Sequence, residues 1–369
     1  MSVIRVLGLA SYPVESAAVR LRLNRLVEPL CARGIEIQVR PFLTSRAFAM
    51  LYDPRRRARI GVDLLLSSIR RLTDVTKSGR YDVVFLQREA APIGPPLVEW
   101  LLARVAGLAY VLDLDDATWV SYSSPTHGRL ASAVKTPSKA DWLIRNAAIV
   151  TCGSRVIAEH AASLGARTMH VPTMVDLDDF APSPRRAWSS IPTIGWIGSH
   201  STWQYVEPLL PVLARVAAEH TFRFLVVGHG RGSLTVPGIT VDAQDWSLTR
   251  EIHDFQSIDI GLYPITPGEY AEGKSGLKAV QYMSAGVPFV ASPVGEMAHL
   301  GEPGRTHLLA DSPGEWYSAL TRLISDEMLR RSMGKAGRSY AEAHFGTERA
   351  ADLVAEAIQA ALGRAITDS

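Results

Sequence analysis

The chain carries only two cysteines, Cys31 and Cys152, in 369 residues. That excludes a disulfide framework and a thiolate zinc site, and it fits a reducing cytoplasm. Cys and His occur nowhere at metal-ligand spacing, so no structural metal is expected. Long apolar runs are missing as well. The longest, Leu97 to Leu112, is broken by Glu99 and Arg104, which leaves no bilayer-spanning helix. The start, Met1 to Leu9, reads as an apolar strand without the small-residue cleavage site of a signal peptide. The formal charge is only +2. These absences lead to the expectation of a cytoplasmic protein, peripheral at most to the inner face of a membrane.

A chain of this length exceeds one ordinary α/β core, so two domains are expected. Apolar, β-rich runs at Ile4 to Ala10, Ile35 to Val39, Asp82 to Leu86, Tyr110 to Leu114 and Ala148 to Thr151 alternate with helical stretches. In the first of these stretches Leu23, Val27 and Leu30 share a face. A Pro- and Ser-rich stretch from Ala181 to Pro192 reads as a linker. A second series follows at Thr193 to Ile197, Phe222 to Val227, Ile258 to Tyr263, Pro288 to Ala291 and His307 to Leu309. Strands that alternate with helices imply parallel sheets covered on both faces. The expected fold is therefore α/β, two tandem Rossmann-like domains facing across a cleft. Residues 1–183 form the first, 184–346 the second, and 347–369 a closing helix that braces the two. That helix is capped by Thr347 and places Val354, Ile358 and Leu362 on one face.

The stretch richest in chemistry runs from Asp259 to Ala291. It reads as a strand, a polar loop, a helix beginning near Lys274 to Gly276, a Gly-Val-Pro turn and another strand. A helix start offers unpaired N–H groups and partial positive charge, and Gly273, Ser275 and Gly276 let a diphosphate come close. Lys274 and Lys278 add cations one turn apart; they suit phosphate, or else form a solvated helix face. Gln281 lies about two turns along from Lys274, where its amide suits ribose hydroxyls.

This segment resembles the donor-binding segment of family 4 (GT4) glycosyltransferases, retaining enzymes of GT-B fold. The turn Ala285-Gly286-Val287-Pro288, followed by Val290-Ala291, is similar to the family's Ala-Gly-x-Pro-Val-Val-Ala ending. Val171 to Pro182 resembles the motif before the linker. Gly195-Trp-Ile-Gly198-Ser199 resembles the first loop of the C-terminal domain, and Val226 to Gly230 the next strand and its Gly-rich end. The resemblance implies a nucleotide-sugar donor held by Gly198, Ser199, Glu272, Lys274, Ser275, Gly276, Leu277, Lys278 and Gln281. It also implies hexosyl transfer with retention, charge stabilisation on a leaving nucleoside diphosphate, and neither cofactor nor metal. Two departures stand out. The family's two glutamates, seven residues apart, fall on Gly273, with Glu272 beside it, and on Gln281. The basic pair that often follows the first glycine falls near Trp196 and Ser201.

On the acceptor side, Asp115 and Asp116 follow a strand's carboxyl end, where cleft residues lie. Either could act on an acceptor hydroxyl, or cap a helix. Asp113-Leu-Asp-Asp116 and Asp176-Leu-Asp-Asp179 imitate an Asp-x-Asp metal motif without the single-domain context it needs. His127 is the nearest histidine to the first. Arg20 and Arg22 open the first helix at the expected mouth of the cleft, as phosphate ligands for acceptor or donor, or as surface arginines. From residue 20 to residue 80 basic side chains outnumber acidic ones by nine, with Arg55, Arg56, Arg57 and Arg59 clustered. An anionic membrane carrying a lipid-linked acceptor is the favoured partner, against a merely solvated face. Nucleic acid is disfavoured because aromatic interleaving is absent.

The leading function is transfer of a hexosyl group from a nucleotide sugar to a glycan or lipid-linked acceptor. A nucleotide-sugar epimerase on the same fold would make a large acceptor surface superfluous. A non-catalytic nucleotide-sugar-binding protein would explain the missing glutamates. A dehydrogenase is disfavoured, because the first βα turn, Ser11 to Ser16, lacks the glycine fingerprint.

Overall fold

The computed structural model describes residues 3–50, 57–120, 137–183, 191–230 and 234–367. Arg55, Arg56, His127 and most of the Pro- and Ser-rich stretch, residues 184–190, lie outside the described residues. The chain divides into two compact units. One comprises residues 1–174, 273–275 and 347–369; the other comprises 175–272 and 276–346.

The first unit is built on six parallel strands, β1 (Ile4–Ala10), β2 (Ile35–Pro41), β3 (Val83–Gln87), β4 (Tyr110–Leu114), β5 (Ile149–Cys152) and β6 (Thr168–His170). Their order is β2-β1-β3-β4-β5-β6. Residues along each central strand alternate between two cores. Val6, Val83, Phe85 and Val111 face one side, and Leu7, Leu9, Val84, Leu86 and Leu112 the other. Burial on both faces is why these strands read as unbroken apolar runs.

The first face is closed by the last helix, Thr347–Thr367, whose Ala350, Ala351, Val354, Ala355, Ile358 and Ala361 pack with Val6, Leu23 and Leu30. Helical spacing puts the small alanines and the branched residues on one stripe, so the helix lies close on the sheet. Arg33 fastens its first turns by ion pairs to Glu348 (2.9 Å) and Asp352 (2.7 Å).

The second unit holds β7 (Thr193–Ile197), β8 (Arg223–Val227), β9 (Thr240–Gln244), β10 (Ile260–Tyr263), β11 (Phe289–Ala291) and β12 (Leu308–Leu309). All are parallel, in the order β12-β11-β10-β7-β8-β9. One face carries Trp196, Trp203, Val226, Leu262, Trp316 and Leu320. Helix Pro313–Ser325 on this side starts with a reciprocal capping box between Ser312 and Glu315. Tyr282 is fully buried, edge-on to Phe255 at 5.1 Å between ring centres and stacked on Phe289 at 5.6 Å.

One local expectation needs correction. The helix expected through Leu23, Val27 and Leu30 is broken into Ala17–Arg22, a single tight turn at Asn24–Leu26, and Val27–Ala32, with Leu23 at φ −135°. Strands β6 and β9 went unread because both are polar edge strands, Thr-Met-His and Thr-Val-Asp-Ala-Gln, whose apolar signal is weak. The apolar run Leu97 to Leu112 is divided among several elements. It forms a helical turn at Leu97–Trp100 and a wider, π-type turn at Leu101–Val105, and then ends in β4.

Candidate functional site

Each sheet has a point where the chain reverses its direction of growth: between β1 and β3 in the first unit, and between β7 and β10 in the second. Side chains outside the carboxyl ends of those strands line the crevice where open α/β sheets bind ligands.

In the first unit, Arg88 directly follows β3 and has φ 62°, the one non-glycine residue with positive φ among the described residues. Its guanidinium is fixed by Asp115, with Nε donating to Oδ1 at 2.5 Å and Nη2 to Oδ2 at 2.8 Å, and Nη2 also donates to Asp116 at 2.6 Å. Burial of Asp115 would raise its carboxyl pKa. The Arg88 charge and hydrogen bonds, with help from Arg22, outweigh that and hold it below the ordinary carboxylate range. An ionised, guanidinium-bound Asp115 is a hydrogen-bond acceptor and a fixed negative charge rather than a strong base.

Arg20 and Arg22 are both buried, so neither is a surface arginine. Arg22 ends the helix Ala17–Arg22 and makes a bidentate pair with Asp113, at 2.8 Å and 2.6 Å. Its Nη1 donates to the Val171 carbonyl at 2.9 Å and to Thr173 Oγ1 at 3.2 Å. Asp113 also accepts from Thr151 Oγ1 at 2.7 Å. Of the carboxylates in the Asp113-Leu-Asp-Asp116 stretch, all three therefore face guanidinium groups. In the other, Asp176 accepts from the backbone N–H groups of Asp178 and Asp179, a local turn. Among the described residues no group of three or more His, Cys, Asp or Glu side chains is placed to hold a metal.

The segment Gly273–Ser275 belongs to this unit. Ser154 Oγ donates to the Gly273 carbonyl at 3.2 Å, and Thr173 Oγ1 donates to Ser275 Oγ at 2.9 Å. A Cβ on Gly153 would lie 3.1 Å from both Asp115 Cα and Ser275 Cβ, a tight fit that a side chain at this position would push apart by a few tenths of an ångström.

In the second unit, loops after β7 and β8 are backbone-rich. A Cβ on Gly228, which has φ +84°, would strike the Gly198 carbonyl oxygen at 2.3 Å, and one on Gly198 would strike the Trp196 ring at 2.0 Å. Ser199 sits in a turn, its N–H donating to Thr202 Oγ1 at 3.1 Å. His229 is buried, edge-on to Trp203. Gly276, at φ 74°, caps the helix Leu277–Ser284, so the helix starts at Leu277 rather than at Lys274. Lys274 accordingly precedes the helix, and the two lysines are not one helical turn apart. Lys274, Leu277 and Lys278 are all half-buried, not a fully solvated face. Gln281 is buried, its Nε2 3.5 Å from Glu251 Oε1. Glu272 accepts from the Gly295 N–H at 2.8 Å.

Arg88, Thr173, Ser154 and Gly153 are not among the site residues expected from the sequence. The strand-end rule that selected Asp115 would also have selected Arg88, one residue beyond β3. Nothing in the sequence signals its left-handed backbone or the meeting of Thr173 with Ser275, 102 residues apart.

Residues 191–326 match the family model of the glycosyl transferases group 1. The chain is similar to a D-inositol 3-phosphate glycosyltransferase of Paenarthrobacter aurescens (strain TC1), 32% identical over 147 residues. That stretch covers 35% of this chain and 36% of the relative, so the match spans about a third of the relative's length. Its fold is similar to that of sucrose-phosphate synthase from Thermosynechococcus elongatus, with TM-score 0.68 and 16% identity over 95% of this chain and 98% of that one. It is also similar to an Anabaena protein, HepE, solved in complex with UDP and glucose, with TM-score 0.66 and 16% identity over 96% and 98% of the two chains. The arrangement of two parallel α/β sheets is thus that of the GT-B fold.

Proposed function

We propose, from a chain whose residues 191–326 carry the group 1 glycosyl transferase pattern, that it moves a hexosyl group from a nucleotide-sugar donor to a glycan or lipid-linked acceptor. The observation that carries the reading is the backbone-rich end of the second sheet. Gly198 and Gly228 let the loops after β7 and β8 approach each other closely, and the helix Leu277–Ser284 starts at the left-handed Gly276 with no side-chain cap, an N-terminus suited to a diphosphate. Ser199, Ser275, Lys274 and Lys278 add hydroxyls and cations for the leaving phosphate, which needs no metal to neutralise it. Gln281 and Glu272 are assigned to the ribose and sugar end. Asp115 and Asp116, held by Arg88, would accept a hydrogen bond from the attacking hydroxyl. Retention of configuration follows from the resemblance to the GT4 family. The HepE complex with UDP and glucose makes a UDP-hexose the first donor to try.

The acceptor is proposed to be lipid-linked, with the enzyme resting on an anionic inner membrane face. Helix Arg57–Thr76 exposes Val62, Leu65, Leu66, Ile69 and Leu72, between 45% and 62% accessible, all on one side. Arg59 and Arg70 flank that stripe and are exposed too. Apolar stripe and flanking arginines are what a helix lying in a headgroup layer needs. The interior positions of Arg20, Arg22 and Arg71 reduce the basic surface that the composition promised. Among the described residues no helix is long and apolar enough to cross a membrane.

The test is a thermal-shift screen against UDP, GDP, ADP, TDP and CMP and their sugar conjugates, repeated for Lys274→Ala/Lys278→Ala. One nucleotide should raise the melting temperature of the wild type by mass action and lose that effect in the double variant. No shift with any nucleotide at millimolar concentration would overturn the donor-site reading and favour a non-catalytic scaffold.

A further inference from the structure

Resting on the donor reading above, we infer that Arg22 and Thr173 are positioning residues that fix the Ser275 hydroxyl as a hydrogen-bond donor to the donor's diphosphate. A guanidinium donates and never accepts. Burial would lower the Arg22 pKa, but the Asp113 charge and hydrogen bond, with Asp115 and Cys152, together outweigh it and raise the pKa, so the group stays charged. Arg22 Nη1, 3.2 Å from Thr173 Oγ1, therefore occupies a lone pair of that hydroxyl. Thr173 is left with its own proton to place, and it donates to Ser275 Oγ at 2.9 Å. Ser275 Oγ receives that proton and must turn its own away from Thr173.

Every member of this chain is more than nine-tenths buried: Arg22 is 4% exposed, Thr173 2% and Ser275 9%. Among the described residues no acceptor stands opposite the Ser275 hydroxyl proton, although the residue is almost sealed. A buried O–H without an acceptor costs free energy, which an incoming oxyanion removes. Ser275 directly precedes Gly276 in the chain, the left-handed cap of the helix Leu277–Ser284. The anchor is rigid. Asp113 holds Arg22 by two hydrogen bonds and is itself held by Thr151, and the Ser154 hydroxyl fixes the Gly273 carbonyl. A relay oriented in advance adds a charge-assisted hydrogen bond without reorganisation when the diphosphate departs.

Binding of UDP, GDP, ADP and TDP, and of uridine, guanosine, adenosine and thymidine as controls without phosphate, tests this by calorimetry on wild type, Thr173→Val, Thr173→Ser, Ser275→Ala and the Thr173→Val/Ser275→Ala double variant. The nucleoside diphosphate that binds wild type should bind Ser275→Ala and Thr173→Val about tenfold more weakly. Its nucleoside should bind all variants equally, and Thr173→Ser should restore wild-type affinity. The double variant should be no weaker than Ser275→Ala, since both act through one proton. Equal loss of nucleoside and diphosphate in Thr173→Val would make the contact merely structural and overturn the inference. So would a Ser275→Ala variant that binds diphosphate as wild type does. If Thr173→Val does not fold, Ser275→Ala and Thr173→Ser still decide. A wild type that binds none of these diphosphates would overturn the relay, and one that also shows no shift with any nucleotide in the thermal-shift screen would overturn the donor reading itself.

Discussion

A Cβ placed on Gly273 would lie 2.5 Å from the Ala117 Cβ and 3.0 Å from the Ala117 backbone nitrogen. Position 273 is where the resemblance to GT4 enzymes places the first of two glutamates, and here the loop after Asp116 occupies that space. Ala117 has no flexible end to swing aside, so the backbone would have to move.

Gly273→Ala should therefore destabilise the fold by about 1–3 kcal/mol, the range for overpacking a closed site. Adding Ala117→Gly should recover most of it. Urea unfolding of the single and double variants measures both. Gly273→Glu, which reinstates the family's residue, should bind nucleoside diphosphate less tightly than wild type; tighter binding would show that the loop yields.

Arg88 supports a second prediction. Arg88→Met leaves Asp115 buried beside Asp116 without its two-point guanidinium partner, only the more distant Arg22 charge remaining. The expected cost at neutral pH is about 2–3 kcal/mol, below the ~3–5 kcal/mol of a fully buried pair because the Arg88 side chain is 22% exposed. In wild type the Asp115 pKa is depressed in the fold, so its stabilisation is present above the unfolded value near ~3.9 and is lost as pH falls further. In the variant burial raises that pKa, so the penalty eases on acidification. The stability gap between the two proteins should narrow from pH 7 downward; a constant gap would show that the pair is electrostatically idle. Because Arg88 has φ 62°, Arg88→Gly should be more stable than Arg88→Ala by about 1 kcal/mol, the reverse of the usual order.

His307 is buried against Phe289, ring centres 5.0 Å apart, and burial lowers its pKa from 6.5 to about 4. The unfolded chain binds a proton through that window and the folded one does not. Stability should fall as pH drops from 6.5 to about 4, by roughly 3 kcal/mol at the lower end. His307→Phe should lose this part of the slope, as read from denaturant melts at three or four pH values.

The two thiols should differ in reactivity. Cys31 is exposed, whereas Cys152 is buried and its pKa is pushed up to about 12, by burial first and then by the Asp113 charge. Alkylation of the native protein at pH 8 should label Cys31 alone, and labelling in denaturant should reach both.

Much of the architecture was legible because burial on both faces leaves a one-dimensional trace. Val83, Val84, Phe85 and Leu86 are apolar in succession since each side of β3 meets a core. The stripe Val354, Ile358 and Leu362 likewise announced which side of the last helix is covered. Where that trace fails, as at polar edge strands β6 and β9, the elements went unread.

The sequence by itself determined the alternation of strands and helices, the glycines at strand ends and the helix after Gly276, because periodicity and backbone freedom are local properties. Only tertiary structure decided which side chains answer one another. Arg22 and Arg88 are equally arginines at element ends in the sequence. Folding buries one on Asp113 and Thr173 and sets the other, on a left-handed backbone, between Asp115 and Asp116. Such assignments depend on segments tens to hundreds of residues apart arriving at one place, where desolvation makes each charge seek its partner. No spacing along the chain encodes that meeting.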